Sequence, residues 1–125
     1  MNEDRATLLF CRLALVAAER GQQAGRDRFL ILGGISATRA GWPAVAARCH
    51  ELVTSGAPRH LLNRYASFAE ALRDPAFEAF SRQVRRFCTP ERAEHLLSEL
   101  GLAPALTEGE NFAADDVLKI LESLG

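Results

Sequence analysis

Residues 26–58, RDRFLILGGISATRAGWPAVAARCHELVTSGAP, constrain the fold of this chain more than any other stretch. Within them, an apolar run at residues 29–32 leads directly into a glycine pair, Gly33 and Gly34. One interpretation is a buried strand that enters a glycine-rich turn, whose backbone N–H groups could hold a phosphate. The other is a helix whose small residues allow a neighbouring backbone to approach closely. The first predicts a nucleotide-binding protein, and the second predicts a packed helical domain.

The helical interpretation is favoured because the rest of the chain offers no strand to pair with. No segment has the period-two alternation of a half-buried strand, and the GxGxxG and GxxxxGK[ST] spacings of nucleotide-binding loops are absent. Two glycines inside a helix cost roughly 1 kcal/mol each relative to alanine. We therefore expect a neighbouring helix to pack closely on Gly33 and Gly34. The first helix is the expected neighbour, because its residues are apolar nearly all round and predict a central, buried element.

Small residues and a closing proline recur through this stretch at Gly34, Ala37, Gly41, Ala46 and Pro58. Their spacing resembles that of a helical hairpin of the tetratricopeptide repeat (TPR) family, in which glycine or alanine of the first helix packs against the second. The resemblance covers about a quarter of the chain, and no second copy follows at the family's period of roughly 34 residues. His50 stands where the family usually has an aromatic residue, and the early tryptophan is missing. The resemblance implies an interaction scaffold, but a single unit has no groove whose binding residues could be carried over.

Helix start and stop signals predict five to seven helices. Asn2 is a predicted N-cap, and Gly21 ends the first helix, with Gly25 closing the turn. The next two helices are predicted over residues 27–40 and 43–55. Later starts are predicted at residues 60, 67, 74 and 89, and a last amphipathic helix at 111–124. The residues predicted to be buried in the second half are Phe77, Phe80, Val84, Phe87, Leu96, Leu97 and Leu100, and one side of the last helix carries Leu118, Leu121 and Leu124.

The predicted fold is therefore all-α, with a TPR-like helical hairpin core and shorter helices packed across it. A helical domain at residues 1–102 is followed by a linker at 103–110. The C-terminal amphipathic helix at 111–125 is assigned to the same domain, and it is the element that we expect to be held most loosely, because it ends the chain.

Composition supports a globular protein of the cytoplasm. Hydrophobic residues make up 48% and charged residues 25% of the 125 residues, and the net charge is −1. Cys11, Cys49 and Cys88 form no CxxC pair, which favours a reducing compartment. The N-terminal apolar run is interrupted by Arg12 and is too short to span a membrane. We expect no membrane partner.

Basic residues near the middle of the chain form the one candidate ligand surface. Arg82, Arg85, Arg86 and Arg92 lie close in sequence to Phe80 and Phe87. Arginine beside exposed aromatic rings suits single-stranded nucleic acid. However, the predicted helix buries the phenylalanines, and Glu78 is placed to pair with Arg82, so a solvated face is favoured.

Cysteine and histidine do not predict a catalytic or metal centre. Cys49, His50, His60, Cys88 and His95 lack the spacing of zinc ligands, and no oxyanion motif or orienting carboxylate accompanies Cys88 and His95. The sequence predicts no catalytic residue, no metal ligand and no cofactor.

The leading functional hypothesis is a non-enzymatic protein–protein interaction or adaptor module, whose partner is another protein or a second copy of the chain. The last helix, or the groove that it covers, is its expected contact surface. The alternative is a nucleic-acid-binding regulator that uses the Arg82–Arg92 basic face. The candidate interaction residues are Arg82, Arg85, Arg86, Arg92, Leu118 and Leu121.

Overall fold

A computed structural model describes residues 2–102 and 114–125, and all regular structure within them is helical. The predicted all-α class with five to seven helices is confirmed. No helix within these two ranges is long and apolar enough to cross a membrane. The predicted linker at 103–110 and the predicted start of the last helix at 111 lie outside the described residues. The elements are α1 (Glu3–Glu19), α2 (Gln23–Ala40), α3 (Pro43–Gly56), a 3-10 turn (Leu61–Arg64), α4 (Phe68–Ala71), α5 (Pro75–Phe87), α6 (Pro90–Glu99) and α7 (Ala114–Glu122).

Side-chain caps begin most of these helices where the sequence predicts. Each capping oxygen accepts a bond from a backbone N–H that has no partner within the helix. At α4 the Ser67 Oγ accepts from Glu70 N–H at 3.1 Å, and the Glu70 carboxylate reaches back to the N–H of Ala66 at 2.8 Å. The predicted capping box is therefore present, with its return bond one residue earlier than usual. The N-cap residues whose side chains accept such bonds are Asn2, Ser67, Asp74 and Thr89.

The turn between α1 and α2 is shorter than predicted. Gly21 adopts a φ of +70°, and Gln22 N–H donates to the Ala17 carbonyl at 2.8 Å, so the reversal is complete within a few residues. Gly25 does not close this turn but lies in the first turns of α2. The predicted start of the helix near residue 27 is wrong because a single glycine costs a helix only about 1 kcal/mol, which the packing of α2 offsets.

Helix α2 is the centre of the fold. Every residue from 29 to 37 is buried, and α2 contacts α1, α3, α4 and α5. Helix α1 is also largely buried, with Leu9, Cys11 and Ala14 at 0% exposure, but it packs on α2, α6 and α7. The first helix is therefore largely buried, as its apolar residues predict, and it shares the centre of the fold with α2.

The two glycines of α2 are packing contacts, as the helical interpretation predicts. A Cβ on Gly33 would lie 3.1 Å from the Sγ of Cys11, so α1 approaches α2 at that point. A Cβ on Gly34 would lie 2.1 Å from Cε2 of Phe68, which belongs to α4. The phosphate-loop interpretation is wrong, because both glycines lie within a continuous helix. The predicted neighbour, α1, does pack on Gly33, but the neighbour of Gly34 is α4.

Three of the predicted core positions in the second half are surface positions or nearly so. Phe87 is 42% exposed and Leu100 is 37% exposed, and Phe80 is only half-buried. In α5 the buried stripe contains Ser81 at 0% exposure, whose hydroxyl donates to the Glu78 carbonyl. Phe77 and Val84 are buried as predicted, whereas Ser81 and Cys88 take the buried positions that were predicted for Phe80 and Phe87.

Helix α7 packs on α1 and α3. Val117 and Leu121 are both at 0% exposure, and Leu118 and Leu124 are half-buried. These contacts show a docked helix within the described residues, where the sequence favours a loosely held one.

Substitution of Gly34 by alanine tests the packing at the centre of α2. We expect Gly34→Ala to destabilise the protein by roughly 1–3 kcal/mol, because the new methyl overlaps the Phe68 ring and that residue is only 1% exposed. Gly25→Ala is the matched control in the same helix. Its Cβ would meet Ala17 at an ordinary 3.8 Å, so a gain of about 0.5–1 kcal/mol is expected. Urea unfolding of both variants measures the difference, and equal effects would disprove the close contact at Gly34.

Candidate functional site

A groove lies between the N-terminal half of α2 and the outer side of α5. It encloses about 450 Å³. The α2–α5 groove is lined by Arg28, Phe80, Gln83, Val84 and Phe87. Four of these residues come from α5 at spacings of three, one and three, which place them along one edge of that helix. The groove therefore exists because α5 turns this edge outward while its neighbouring stripe packs on the core.

Phe87 is the most prominent side chain of the groove. Its ring centroid lies 5.3 Å from that of Phe29, at an interplanar angle of 47°. The guanidinium carbon of Arg28 lies 4.9 Å from the same centroid, which is a cation–π distance. The ring is thus fixed between a buried phenylalanine and an exposed arginine, although 42% of the residue remains accessible. A large apolar group held in place at the surface is available to a partner.

Phe80 forms the other aromatic wall and connects the groove to the core. Its ring is stacked on Phe77 with centroids 5.6 Å apart, and His60 meets it edge-on at 5.6 Å. Phe77 in turn contacts the rings of Tyr65 and Phe68. The wall of the groove is therefore one end of an aromatic cluster that continues to the centre of α2.

Two histidines hold the segment between α3 and α4. The Nδ1 of His60 accepts from Leu62 N–H at 3.0 Å, so that nitrogen carries no proton and the 3-10 turn is capped. Burial lowers the pKa of His60, and the nearby carboxylate of Asp27 opposes part of that shift. The Nε2 of His50 lies 3.1 Å from the Leu62 carbonyl and 2.8 Å from that of Tyr65, so it must donate its proton to them. Both rings have structural partners.

The four predicted arginines are all exposed, and they differ in their partners. Arg82 pairs with Glu78 at 3.0 Å, as the sequence predicts, and Arg85 donates to the Ser81 hydroxyl at 3.2 Å. Arg85 and Arg86 are consecutive in a helix, so their side chains diverge by about 100°. Arg85 and Arg86 are both exposed, and neither lines the groove. Arg92 is exposed in the first turn of α6.

The two predicted contact residues of the last helix are placed differently. Leu121 is fully buried between α7 and the helices beneath it, so it is a core residue and is not presented at the surface. Leu118 is half-buried against the same core. The assignment of Leu121 to an interaction surface is thus corrected, because α7 uses its apolar side to pack on α1 and α3.

The cysteines are buried thiols. A hydrogen bond with Cys49, together with burial, raises the pKa of Cys11 well above its ordinary value. Burial raises the pKa of Cys88 to about 11, although Arg92 acts against it, and its Sγ donates to the Thr89 carbonyl. His95, a conceivable base for Cys88, pairs instead with Glu99 at 2.9 Å. Among the described residues, no three His, Cys, Asp or Glu side chains are grouped so that they could hold a metal ion.

Sequence reasoning missed the role of Phe87 and did not single out Arg28. A usable signal was present, because Phe77, Ser81, Val84 and Cys88 also recur at steps of four, three and four. That stripe is the buried one, and it leaves the aromatic residues along its edge partly exposed. Nothing in the local sequence of α2 indicates that Arg28 lies over a ring from a helix almost sixty residues later.

The state of His60 predicts a pH dependence of stability. Above pH 6.5 both folded and unfolded chains hold a neutral ring, and the contribution of the Nδ1 cap is fully present. As the pH falls below 6.5, the unfolded chain binds the proton first, because the folded pKa is lower, and stability is lost. We expect the midpoint of urea unfolding to decrease as the pH is lowered from about 7.5 to 5.5. The decrease should be smaller in His60→Asn, because the asparagine keeps a capping oxygen that does not titrate.

His95→Gln is the control for this measurement, because His95 is exposed and pairs with Glu99 of its own helix. A smaller decrease of the urea midpoint in His60→Asn than in His95→Gln assigns the effect to His60. An undiminished loss of stability in His60→Asn would assign the effect to other groups.

Comparison with known proteins returns no relative for this chain. No family model, no curated protein and no solved structure matches it. The likeness of residues 26–58 to a TPR hairpin therefore remains a resemblance of spacing.

Proposed function

We propose that this protein is a non-enzymatic interaction module that binds a protein partner through the α2–α5 groove. The observation that carries the proposal is the exposed ring of Phe87, fixed between Phe29 and the guanidinium of Arg28. Aromatic residues and arginine are enriched at protein interfaces and supply a large share of their binding energy. A side chain that is already held in one position loses little conformational entropy when a partner binds.

The lining of the groove defines the chemistry of the partner. Phe80, Val84 and Phe87 offer an apolar slot for one aliphatic or aromatic side chain. Arg28 lines that slot and is exposed. It has no ion-pair partner among the described residues. The expected ligand is a protein segment that presents a bulky apolar residue next to an acidic one.

A protein ligand is favoured over single-stranded nucleic acid by the state of the aromatic rings. Bases bind such proteins by stacking on ring faces. One face of Phe87 is covered by Arg28, and Phe80 is already stacked on Phe77. A base that stacked on either of these two faces would have to displace the contact already made there. Arg82 is also neutralised by Glu78.

The α2–α3 hairpin supports the same class of function through its resemblance to the TPR family, whose members are interaction scaffolds. We also propose that the protein is located in the cytoplasm. The free thiols of Cys11, Cys49 and Cys88, all buried, are compatible with a reducing compartment.

Selection from a random-peptide display library tests the proposal directly. We expect enriched peptides to share an acidic residue adjacent to a bulky apolar one. Their affinity, measured by fluorescence anisotropy, should fall roughly tenfold or more in Arg28→Ala and in Phe87→Ala. Leu100→Ala is the matched control, because Leu100 is exposed to a similar extent at the end of α6 and lies outside the groove.

Three outcomes would contradict this function. Peptides that bind Phe87→Ala as well as the wild type would place the contact elsewhere. Dimers in sedimentation experiments that dissociate in Phe87→Ala would identify the partner as a second copy. Binding of single-stranded RNA or DNA that weakens between about 50 and 200 mM salt would support the nucleic-acid alternative instead.

A further inference from the structure

A second cavity lies on the other side of α5, where α1, α2 and the junction between α5 and α6 meet. Its volume is about 170 Å³. The floor consists of Phe10, Leu32 and Ile35, each no more than 3% exposed. Two arginines from different helices, Arg39 and Arg85, also line it, and both are exposed. An enclosed apolar floor therefore lies beside two cationic groups.

We propose that this cavity binds a small carboxylate whose body is apolar, such as an arylacetate or a short acyl chain. A cavity of about 150 Å³ lined by Leu, Ile and Phe accepts one benzene molecule, so the volume suits a single ring or a chain of similar size. Guanidinium groups bind carboxylates by paired, charge-assisted hydrogen bonds. The cavity thus contains both halves of a site for an amphiphilic anion.

The charge at this site is not neutralised by ion pairs of the protein. Neither Arg39 nor Arg85 has an ion-pair partner among residues 2–102 and 114–125, and the recorded side-chain bond of Arg85 is to the neutral hydroxyl of Ser81. Glu3 also lines the cavity and offsets one of the two positive charges. The remaining positive charge favours a monocarboxylate over a neutral ligand.

Cys88, which forms part of the cavity wall, is not expected to react covalently with a bound ligand. Its Sγ is directed to the Thr89 carbonyl at 3.4 Å, and Cys88 is 3% exposed. A pKa of about 11 keeps the thiol protonated near neutral pH. A protonated, buried thiol adds a soft apolar surface to the cavity and is a poor nucleophile.

This site is separate from the α2–α5 groove. The two cavities share no lining residue. Loss of ligand binding at one site therefore does not imply loss of binding at the other.

Titration with phenylacetate, followed by two-dimensional NMR of the labelled protein, tests the proposal. Saturable shifts are expected for residues around Leu32, Ile35 and Arg85. Phenylacetamide is the neutral control and should bind roughly tenfold more weakly, because it cannot form the charge-assisted bonds. Arg39→Gln and Arg85→Gln should each weaken phenylacetate binding to a similar degree. Arg86→Gln, on the adjacent residue outside the cavity, should leave it unchanged.

The proposal is overturned by no saturable shift at concentrations up to roughly 10 mM. Equal affinities for phenylacetate and phenylacetamide would also overturn it, as would shifts confined to the α2–α5 groove. Each variant replaces an exposed residue, and its melting temperature shows whether it has remained folded, so a loss of affinity in a folded variant supports the site.

Discussion

The ring of Phe68 lies against α2 at Gly34, where even a methyl group would overlap it. Helix α4 has only four residues, and Phe68 is the larger of its two buried side chains. From Phe68 the ring contacts continue to Phe77 and then to Phe80. The orientation of α5, and with it the existence of the α2–α5 groove, depends on the absence of a side chain at one position of the central helix.

Helix boundaries could be predicted from the sequence because they depend on residues a few positions apart. Ser67, Asp74 and Thr89 cap backbone groups two or three residues away, and those bonds form wherever the helix lies in the fold. Gly25 gave the wrong boundary for the opposite reason. Its local preference for a turn is weaker than the packing that continues α2 through it.

The groove could not be predicted, because it depends on which of two stripes α5 turns inward. The stripe with Phe80 and Phe87 is more hydrophobic, but the stripe with Ser81 and Cys88 is buried. Phe77 and Val84 belong to both stripes and are buried, so the spacing along the sequence does not decide between the two stripes. The position of Leu121 could not be predicted for a similar reason, because the apolar side of α7 suits packing against a partner and packing against the protein's own core equally well.

Arg85 and Arg86 illustrate why charge along a sequence is a poor guide to charge on a surface. In the sequence they belong to one basic cluster, which favours a polyanion as ligand. In the helix their side chains diverge by about 100°, so that Arg85 lines an apolar cavity and Arg86 does not. Arg85 at the cavity and Arg28 at the groove each lie beside an apolar surface. A ligand that combines one negative charge with an apolar group matches each of these sites better than an extended phosphate backbone does.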